Sequence, residues 1–192
     1  MAEVEFNGLR LESAPGEVMT PRSTSEQLVA EACARIDGTA RVADVGTGSG
    51  ALAVAIAAAC PEAQVWATDV DARAVWLARA NVARLGLASR VRVRRGDLLE
   101  PVPRPLDVIV ANLPYLAAAT AASHPDLRSE PFDAVFAPGD GLGLYRRLVT
   151  AAATTLTPGG ALVLQLYGRV VATGRDELAE LDELLGRQAR AA

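Results

Sequence analysis

The stretch RVADVGTGSGALAVAIAAAC, residues 41–60, decides the fold of this chain. It starts with a short apolar run typical of a buried strand, continues with three closely spaced glycines, and ends in an alanine-rich helix former. The glycines at 46, 48 and 50 let the backbone turn tightly and let a ligand approach the start of the helix. We therefore predict a strand over 41–46, a binding loop, and a helix behind it.

Strand and helix patterns alternate along the rest of the chain. This alternation predicts an α/β fold with a doubly wound, mostly parallel, Rossmann-like sheet and helices on both faces. Such sheets bind ligands at the carboxyl ends of strands, where the strand order reverses. The predicted strands are 64–69, 90–97, 106–112 and 161–168, and the predicted helices are 23–36, 72–86, 141–156 and 175–190.

The chain of 192 residues shows no internal repeat or linker, which predicts a single domain over 1–192. Within it we expect a strand and helix extension over 1–38, a core over 39–168 and a C-terminal helix over 169–192. The last of these is amphipathic, with four leucines on one face. These are Leu178, Leu181, Leu184 and Leu185.

Composition and charge exclude several classes of protein. With 51% hydrophobic and 22% charged residues, the chain is a globular protein and not a disordered one. A net charge of −4 argues against general nucleic-acid binding, and the arginines of RVRVRR, residues 90–95, are typical of an exposed edge strand. Cys33 and Cys60 form no metal-ligand pattern and read as small core residues. Residues 1–10 lack the features of a signal peptide, so we expect a cytoplasmic protein without a membrane span or a metal site.

The glycine loop is followed by acidic residues that fit a nucleoside-like ligand. Asp69 ends the second core strand, where an acid can accept both hydroxyls of a ribose. Asp44 could reach a ligand cation through the loop or a water molecule. Asp97 could accept a hydrogen bond from an adenine amino group or be an ordinary turn aspartate. The pattern G-x-G-x-x-A at 46–51 also fits a dinucleotide fingerprint, so the loop alone leaves a nicotinamide cofactor, or a turn without ligand, open.

NLPY, residues 112–115, follows the fourth core strand. In the doubly wound order this strand lies beside strand 41–46 at the reversal, so both unusual stretches should face one crevice. The Asn112 side-chain oxygen and the Leu113 main-chain carbonyl can accept the two N–H hydrogens of a planar nitrogen, with Pro114 stiffening the loop. Tyr115 offers a flat face on which an amide or base can stack. Methyl transfer to such a nitrogen needs alignment more than a strong base.

Together these motifs resemble the class I S-adenosylmethionine-dependent methyltransferases, and more narrowly the protein-glutamine N5-methyltransferases that modify translation release factors. The similarity runs from Gly16 to Gly168 and includes VMTPRSTSEQLVAEA, ATDVDARAVWLARANVARLGL and LDVIVANLPY. It implies S-adenosyl-L-methionine as the cofactor and a catalytic loop of Asn112, Leu113, Pro114 and Tyr115. The implied cofactor contacts are Asp44, Gly46, Thr47, Gly48, Gly50, Asp69, Val70, Gly96, Asp97, Leu98 and Asn112.

The chain departs from that family in three places. The family motif is N-P-P-Y, whereas N-L-P-Y is similar to the rRNA adenine dimethylases. The length leaves no room for the N-terminal helical domain of the bacterial enzymes and resembles the short form, whose eukaryotic members work with a small zinc-binding partner. After strand 161–168 only one helix follows, where the fold usually adds two more strands. We therefore expect a second copy, a small activator subunit or the final helix to cover the open edge of 161–167.

The leading hypothesis is an N-methyltransferase that acts on a protein glutamine, with a translation release factor as the substrate. An RNA or DNA adenine N6-methyltransferase and a small-molecule or peptide N-methyltransferase are the alternatives. A non-catalytic cofactor-binding subunit and a nucleotide-dependent oxidoreductase follow. Beyond the catalytic loop, His124 is either a solvated loop residue or a substrate contact. Glu130 either shapes the substrate mouth or is a turn acid.

Overall fold

The structure is a computed structural model that describes residues 1–188, without the side chains of residues 184, 187 and 188. The predicted alternation of strands and helices is confirmed. The α-helices are α1 Glu26–Cys33, α2 Ala51–Ala59, α3 Ala72–Arg84, α4 Phe132–Val135, α5 Gly143–Thr155 and α6 Leu178–Gln188. The strands are β1 Ala2–Phe6, β2 Leu9–Ser13, β3 Arg41–Val45, β4 Gln64–Asp69, β5 Val91–Arg95, β6 Leu106–Ala111, β7 Leu116–Ala117, β8 Phe136–Ala137, β9 Leu156–Leu166 and β10 Arg169–Gly174.

Six strands form the central sheet, in the order β10-β9-β6-β3-β4-β5. The five strands from β9 to β5 run parallel, and β10 runs antiparallel at the edge. The chain starts the sheet at β3, adds strands on one side and then returns to the other side with β6. The order therefore reverses between β3 and β6, which confirms that the glycine loop and NLPY leave adjacent strands.

The two faces of the sheet carry separate apolar clusters because successive strand residues point to opposite sides. Val108 and Val163 pack on one face with α1, α2 and α3. Ile109 and Leu162 pack on the other with α5 and α6. On α6 the predicted apolar face is buried at Leu178, Leu181 and Leu185, whereas the side chain of Leu184 lies outside the described residues. Among residues 1–188 no helix has the length and apolar character to cross a bilayer.

The C-terminal segment corrects one expectation. Residues 169–174, expected as part of a helix, form β10, which pairs antiparallel with β9 from Arg169↔Leu166 to Gly174↔Ala161. The edge of 161–167 is therefore not open, and the expectation that a partner subunit or the final helix covers it is wrong. A hairpin strand of the same chain satisfies its backbone groups.

Two further boundaries differ from the sequence patterns. The helix predicted over 23–36 is a 3-10 turn over Ser23–Ser25 followed by α1, which ends at Cys33. The N-terminal extension is a β1–β2 hairpin whose turn residues Asn7 and Gly8 both have positive φ. This hairpin is fastened to α3 because the Asn81 side chain exchanges hydrogen bonds with the backbone of Glu12, at 2.8 and 3.0 Å.

The two cysteines lie side by side at the ends of α1 and α2. The Sγ atoms of Cys33 and Cys60 are 3.1 Å apart, and both side chains are half-buried against the apolar cluster. Burial, together with the hydrogen bond from Cys60, raises the pKa of Cys33 to about 12. The expectation of core packing is met in part, but the contact between the two thiols, 27 residues apart in the chain, was not predicted.

Arginines line the outer strand β5. Arg92, Arg94 and Arg95 are exposed, which confirms the edge interpretation of RVRVRR for these three. Arg90 is instead half-buried and donates to the Ala57 carbonyl at 2.6 Å. Arg92 lies over the Trp66 ring at 5.6 Å and donates to Gln64 at 2.9 Å. This side chain is thus held flat against the sheet.

Candidate active site

The glycine loop is organised by a fully buried acid, Asp44. Its Oδ2 accepts hydrogen bonds from Thr47 Oγ1 at 2.5 Å and from the Ala53 amide at 3.1 Å. These contacts join the end of β3 to the start of α2 and hold the loop between them. Gly46, Gly48 and Gly50 all have positive φ, a conformation that glycine adopts at little cost and that permits the predicted tight turn.

The second carboxylate oxygen of Asp44 is buried and has no hydrogen-bond partner in the described residues. Burial raises the pKa of Asp44 to about 7, although its hydrogen bonds from Thr47 and Ala53 lower it. A buried acceptor of this kind is costly unless a donor meets it. The site therefore has a place for a cationic or hydrogen-bond-donating ligand group beneath the loop.

Asp69 closes the other side of the loop from the end of β4. Its Oδ2 accepts from the Gly48 amide at 2.9 Å and its Oδ1 from the Asp71 amide at 3.0 Å. Burial raises the pKa of Asp69. Each oxygen keeps a second lone pair, so the carboxylate can still accept two hydroxyl groups. A ribose presents two such hydroxyl groups, so the acceptor capacity of Asp69 is compatible with the predicted role.

The remaining predicted cofactor residues lie at the ends of β4 and β5. The Gly96 amide donates to the Asp69 carbonyl at 3.0 Å, which brings this turn beside Asp69. Val70 is 60% exposed, Leu98 has a positive φ of 46°, and Asp97 forms a 2.5 Å ion pair with Arg147. Asp97 thus already has a partner on α5, which the sequence did not indicate.

NLPY lies directly beside the glycine loop. A β-carbon built on Gly46 would come within 2.6 Å of the Leu113 side chain, so Leu113 fills the space that a side chain at 46 would need. Leu113 is buried, whereas Asn112, Pro114 and Tyr115 are half-buried at the crevice. The structure therefore brings the two predicted motifs together.

A hydrogen-bond relay fixes the amide of Asn112. Its Nδ2 donates to Ser25 Oγ at 3.1 Å, and Ser25 donates to Gln165 Oε1 at 2.7 Å. Gln165 Nε2 faces the Thr24 carbonyl at 3.5 Å. A carbonyl only accepts, so this last contact sets the direction of donation through the relay. Asn112 must then point its Nδ2 toward Ser25 and its Oδ1 away from Ser25.

Tyr145 holds the main chain of Leu113 from below. This fully buried phenol accepts from the Leu113 amide at 3.0 Å, and its oxygen lies 2.9 Å from the Leu113 carbonyl and 2.6 Å from the Gln165 carbonyl. One hydroxyl proton serves these two carbonyls, and each carbonyl can accept a second hydrogen bond. The Leu113 carbonyl therefore keeps capacity for another donor.

The other side of NLPY carries a pair of aromatic rings. Tyr115 and Tyr167 have ring centroids 5.1 Å apart at an interplanar angle of 61°. A β-carbon on Gly141 would lie 2.3 Å from the Tyr115 carbonyl, so the loop before α5 presses directly on this segment. Glycine at 141 is what permits that contact.

The loop after NLPY is tied to the segment that precedes α1. Glu130, whose side chain is only 9% exposed, accepts from the Thr20 amide at 3.1 Å and pairs with Arg22 at 3.5 Å. Glu130 is therefore more than a turn acid, because it joins two loops. His124 is half-buried, with its ring 6.2 Å from that of Phe136. Within residues 1–188 there is no cluster of three side chains suited to hold a metal ion.

The strand order, the glycine loop with its acids and the asparagine at the adjacent strand define a class I, Rossmann-like methyltransferase fold. A solved structure with this fold, the methyltransferase from Pyrococcus furiosus, is 22% identical with a TM-score of 0.63, over 94% of this chain and 78% of that one. Residues 23–127 match the family model described as the methyltransferase small domain. The chain belongs to this methyltransferase small domain family.

Curated relatives are similar over most of the chain. The release factor glutamine methyltransferase of Deinococcus radiodurans is 43% identical over 180 residues, which is 92% of this chain and 63% of that protein. The protein of the same name from Gloeobacter violaceus is 41% identical over 172 residues, 86% of this chain and 59% of that protein. The chain thus spans about three fifths of the length of these relatives.

Proposed function

We propose that this chain transfers a methyl group from S-adenosyl-L-methionine to the side-chain amide nitrogen of a protein glutamine, with a translation release factor as the substrate. The orientation of Asn112 is the observation that carries the proposal. Because its Nδ2 donates to Ser25, the Asn112 atom left to face the substrate is Oδ1, which can only accept hydrogen bonds. The site therefore favours an incoming group that donates N–H bonds, as a primary amide does.

In this proposal Asn112 Oδ1 and the Leu113 carbonyl each accept one N–H hydrogen of the glutamine amide. The two bonds hold the nitrogen so that its lone pair points toward the cofactor side of the crevice. Pro114 stiffens the loop and Tyr115 covers one face of the planar amide. These residues act by positioning, which is the contribution that methyl transfer most needs.

The cofactor contacts follow from the loop. Asp69 accepts the two ribose hydroxyls, and the orphaned Asp44 oxygen accepts from a cationic end of the ligand, directly or through water. Gly46, Thr47, Gly48 and Gly50 surround it, and Val70, Gly96, Asp97 and Leu98 line the base side. When bound, S-adenosyl-L-methionine supplies an electrophilic methyl group on a sulfonium.

The relatives' names support a release factor as the substrate, and a reaction on the translation machinery would take place in the cytoplasm. The test uses tritium-methyl-labelled S-adenosyl-L-methionine with the chain and, separately, a recombinant bacterial release factor or total RNA. We expect label in the protein, on a glutamine that gains one methyl group by mass spectrometry. Label in adenine of the RNA instead would refute the proposal.

One variant tests the role of the carrying residue. Asn112→Ala removes the acceptor oxygen and should abolish transfer, whereas S-adenosyl-L-methionine, which Asp44 and Asp69 also hold in this proposal, should still bind measurably by calorimetry. Ser123→Ala, exposed on the same loop, is the control and should keep full activity. An Asn112→Ala protein with normal turnover would remove Asn112 from the catalytic site.

A further inference from the structure

Tyr167 is in a conformation that its side chain does not favour. It forms, with Gly168, the two-residue turn between β9 and β10, whose flanking residues Leu166 and Arg169 are paired. Tyr167 has φ of 48° and Gly168 has φ of 74°. A two-residue turn with positive φ at both positions prefers Asn-Gly, and a bulky residue with positive φ is an outlier.

The chain itself contains the relaxed version of this turn. Asn7 and Gly8 close the β1–β2 hairpin with φ of 49° and 74°, nearly the same values. The backbone conformation at 167 therefore favours asparagine, the residue that this chain has at the same position of the β1–β2 turn. A tyrosine at 167 is not explained by the hairpin.

Core packing does not explain Tyr167 either, because the residue is 51% exposed. Its ring makes an edge contact with Tyr115 at 5.1 Å, beside the loop that carries Asn112. The two rings, inclined at 61°, form a corner with two flat surfaces. Strain at a residue of this kind is typical of a functional position.

We propose that Tyr167 forms the second wall of the acceptor site and contacts the substrate peptide beside the modified glutamine. This inference rests on the proposed function and deepens it. Tyr115 would cover the face of the glutamine amide, while Tyr167 takes the adjoining peptide group and fixes the direction in which the substrate chain leaves the crevice. Planar amide groups and aromatic rings suit each other in this way.

The test is Tyr167→Asn, which gives the second hairpin the turn sequence of the first. If Tyr167 contacts the substrate, this variant should change KM without lowering Tm, whereas a purely structural role predicts a lower Tm and no change in KM. We expect Tm to stay the same or rise, because the turn is relieved, while KM for the release factor rises about three- to tenfold. Cofactor affinity should stay unchanged. Tyr167→Phe keeps the ring and should stay within about twofold of the original KM.

A matched control separates this effect from a general loss of surface aromatics. Trp76→Ala, on α3 and 61% exposed, should leave KM unchanged. Wild-type KM in Tyr167→Asn would overturn the inference about Tyr167 alone. Failure of the unmodified chain to methylate any protein glutamine would instead overturn the proposed function, so the two failures are distinguishable.

Discussion

Gln165→Leu should disable the site from a position that touches no substrate. Gln165 is 4% exposed, and its Oε1 accepts the only proton of the Ser25 hydroxyl. Leucine fills a similar volume but accepts no hydrogen bond. The buried Ser25 hydroxyl then lacks an acceptor, and it recovers one if the Asn112 amide flips and presents Oδ1 to it. The flipped Asn112 presents Nδ2 to the crevice, where it repels an N–H donor.

The size of the effect follows from the cost of an unsatisfied buried hydroxyl, about 1–3 kcal/mol. The flipped amide is then favoured by that amount, and the fraction of molecules with Asn112 in the competent orientation falls to between about one sixth and about one in 150. We expect kcat/KM for methyl transfer to the release factor to fall by about 6- to 150-fold. Cofactor affinity, measured by calorimetry, should not change because Asp44 and Asp69 are untouched.

Two companion variants distinguish orientation from simple damage. Gln165→Glu, protonated by burial, can still accept from Ser25 and donate to the Thr24 carbonyl, so it should recover most of the activity. Ser25→Ala added to Gln165→Leu removes the donor that locks the flipped amide, so the double variant should be more active than Gln165→Leu alone. Full activity in Gln165→Leu, or no recovery in the double variant, would refute the relay.

Two further predictions concern stability. Folded Asp44 keeps its proton to about pH 7, whereas the unfolded carboxyl loses it near 3.8, so the folded state loses stability as pH rises between these values. The loss is roughly 4 kcal/mol, and Asp44→Asn should flatten the Tm profile relative to wild type in thermal melts. Hydrogen peroxide should take two electrons and two protons from Cys33 and Cys60, giving an intramolecular disulfide and water. Oxidation should raise Tm by several degrees. The Cys33→Ser control cannot form the disulfide and should show no such rise. An oxidised chain with unchanged Tm would contradict the prediction.

The parts of the fold that local patterns encode were predictable. The structure places the glycines before α2, the acid at the end of β4 and the Asn-Leu-Pro-Tyr turn where patterns of a few consecutive residues predicted them. The N-terminal hairpin also has a readable signal in Asn7-Gly8. The β9–β10 hairpin has no such signal, because Tyr167-Gly168 lacks the usual asparagine of this turn. Residues 169–174, which form β10, were therefore predicted as part of the C-terminal helix.

The parts that depend on distant residues were not predictable. The relay joins Asn112 to Ser25 over 87 positions and Ser25 to Gln165 over 140. Tyr145 is one more apolar position of an amphipathic helix until its hydroxyl is seen against the Leu113 backbone. The Asp97–Arg147 pair likewise needs α5 to pack beside the end of β5. No sequence period marks such contacts, since each depends on the assembled sheet.

The contact between Leu113 and Gly46 changes how the variable letter of the acceptor motif should be understood. In the proposed mechanism only the main chain of residue 113 contacts the substrate, while its side chain occupies the space next to Gly46. A graft of the acceptor loop from another methyltransferase would therefore succeed or fail on volume at this point, and the two positions would have to be exchanged as a pair. Leucine at 113 carries information about the glycine beneath it and none about whether the acceptor is a glutamine or an adenine.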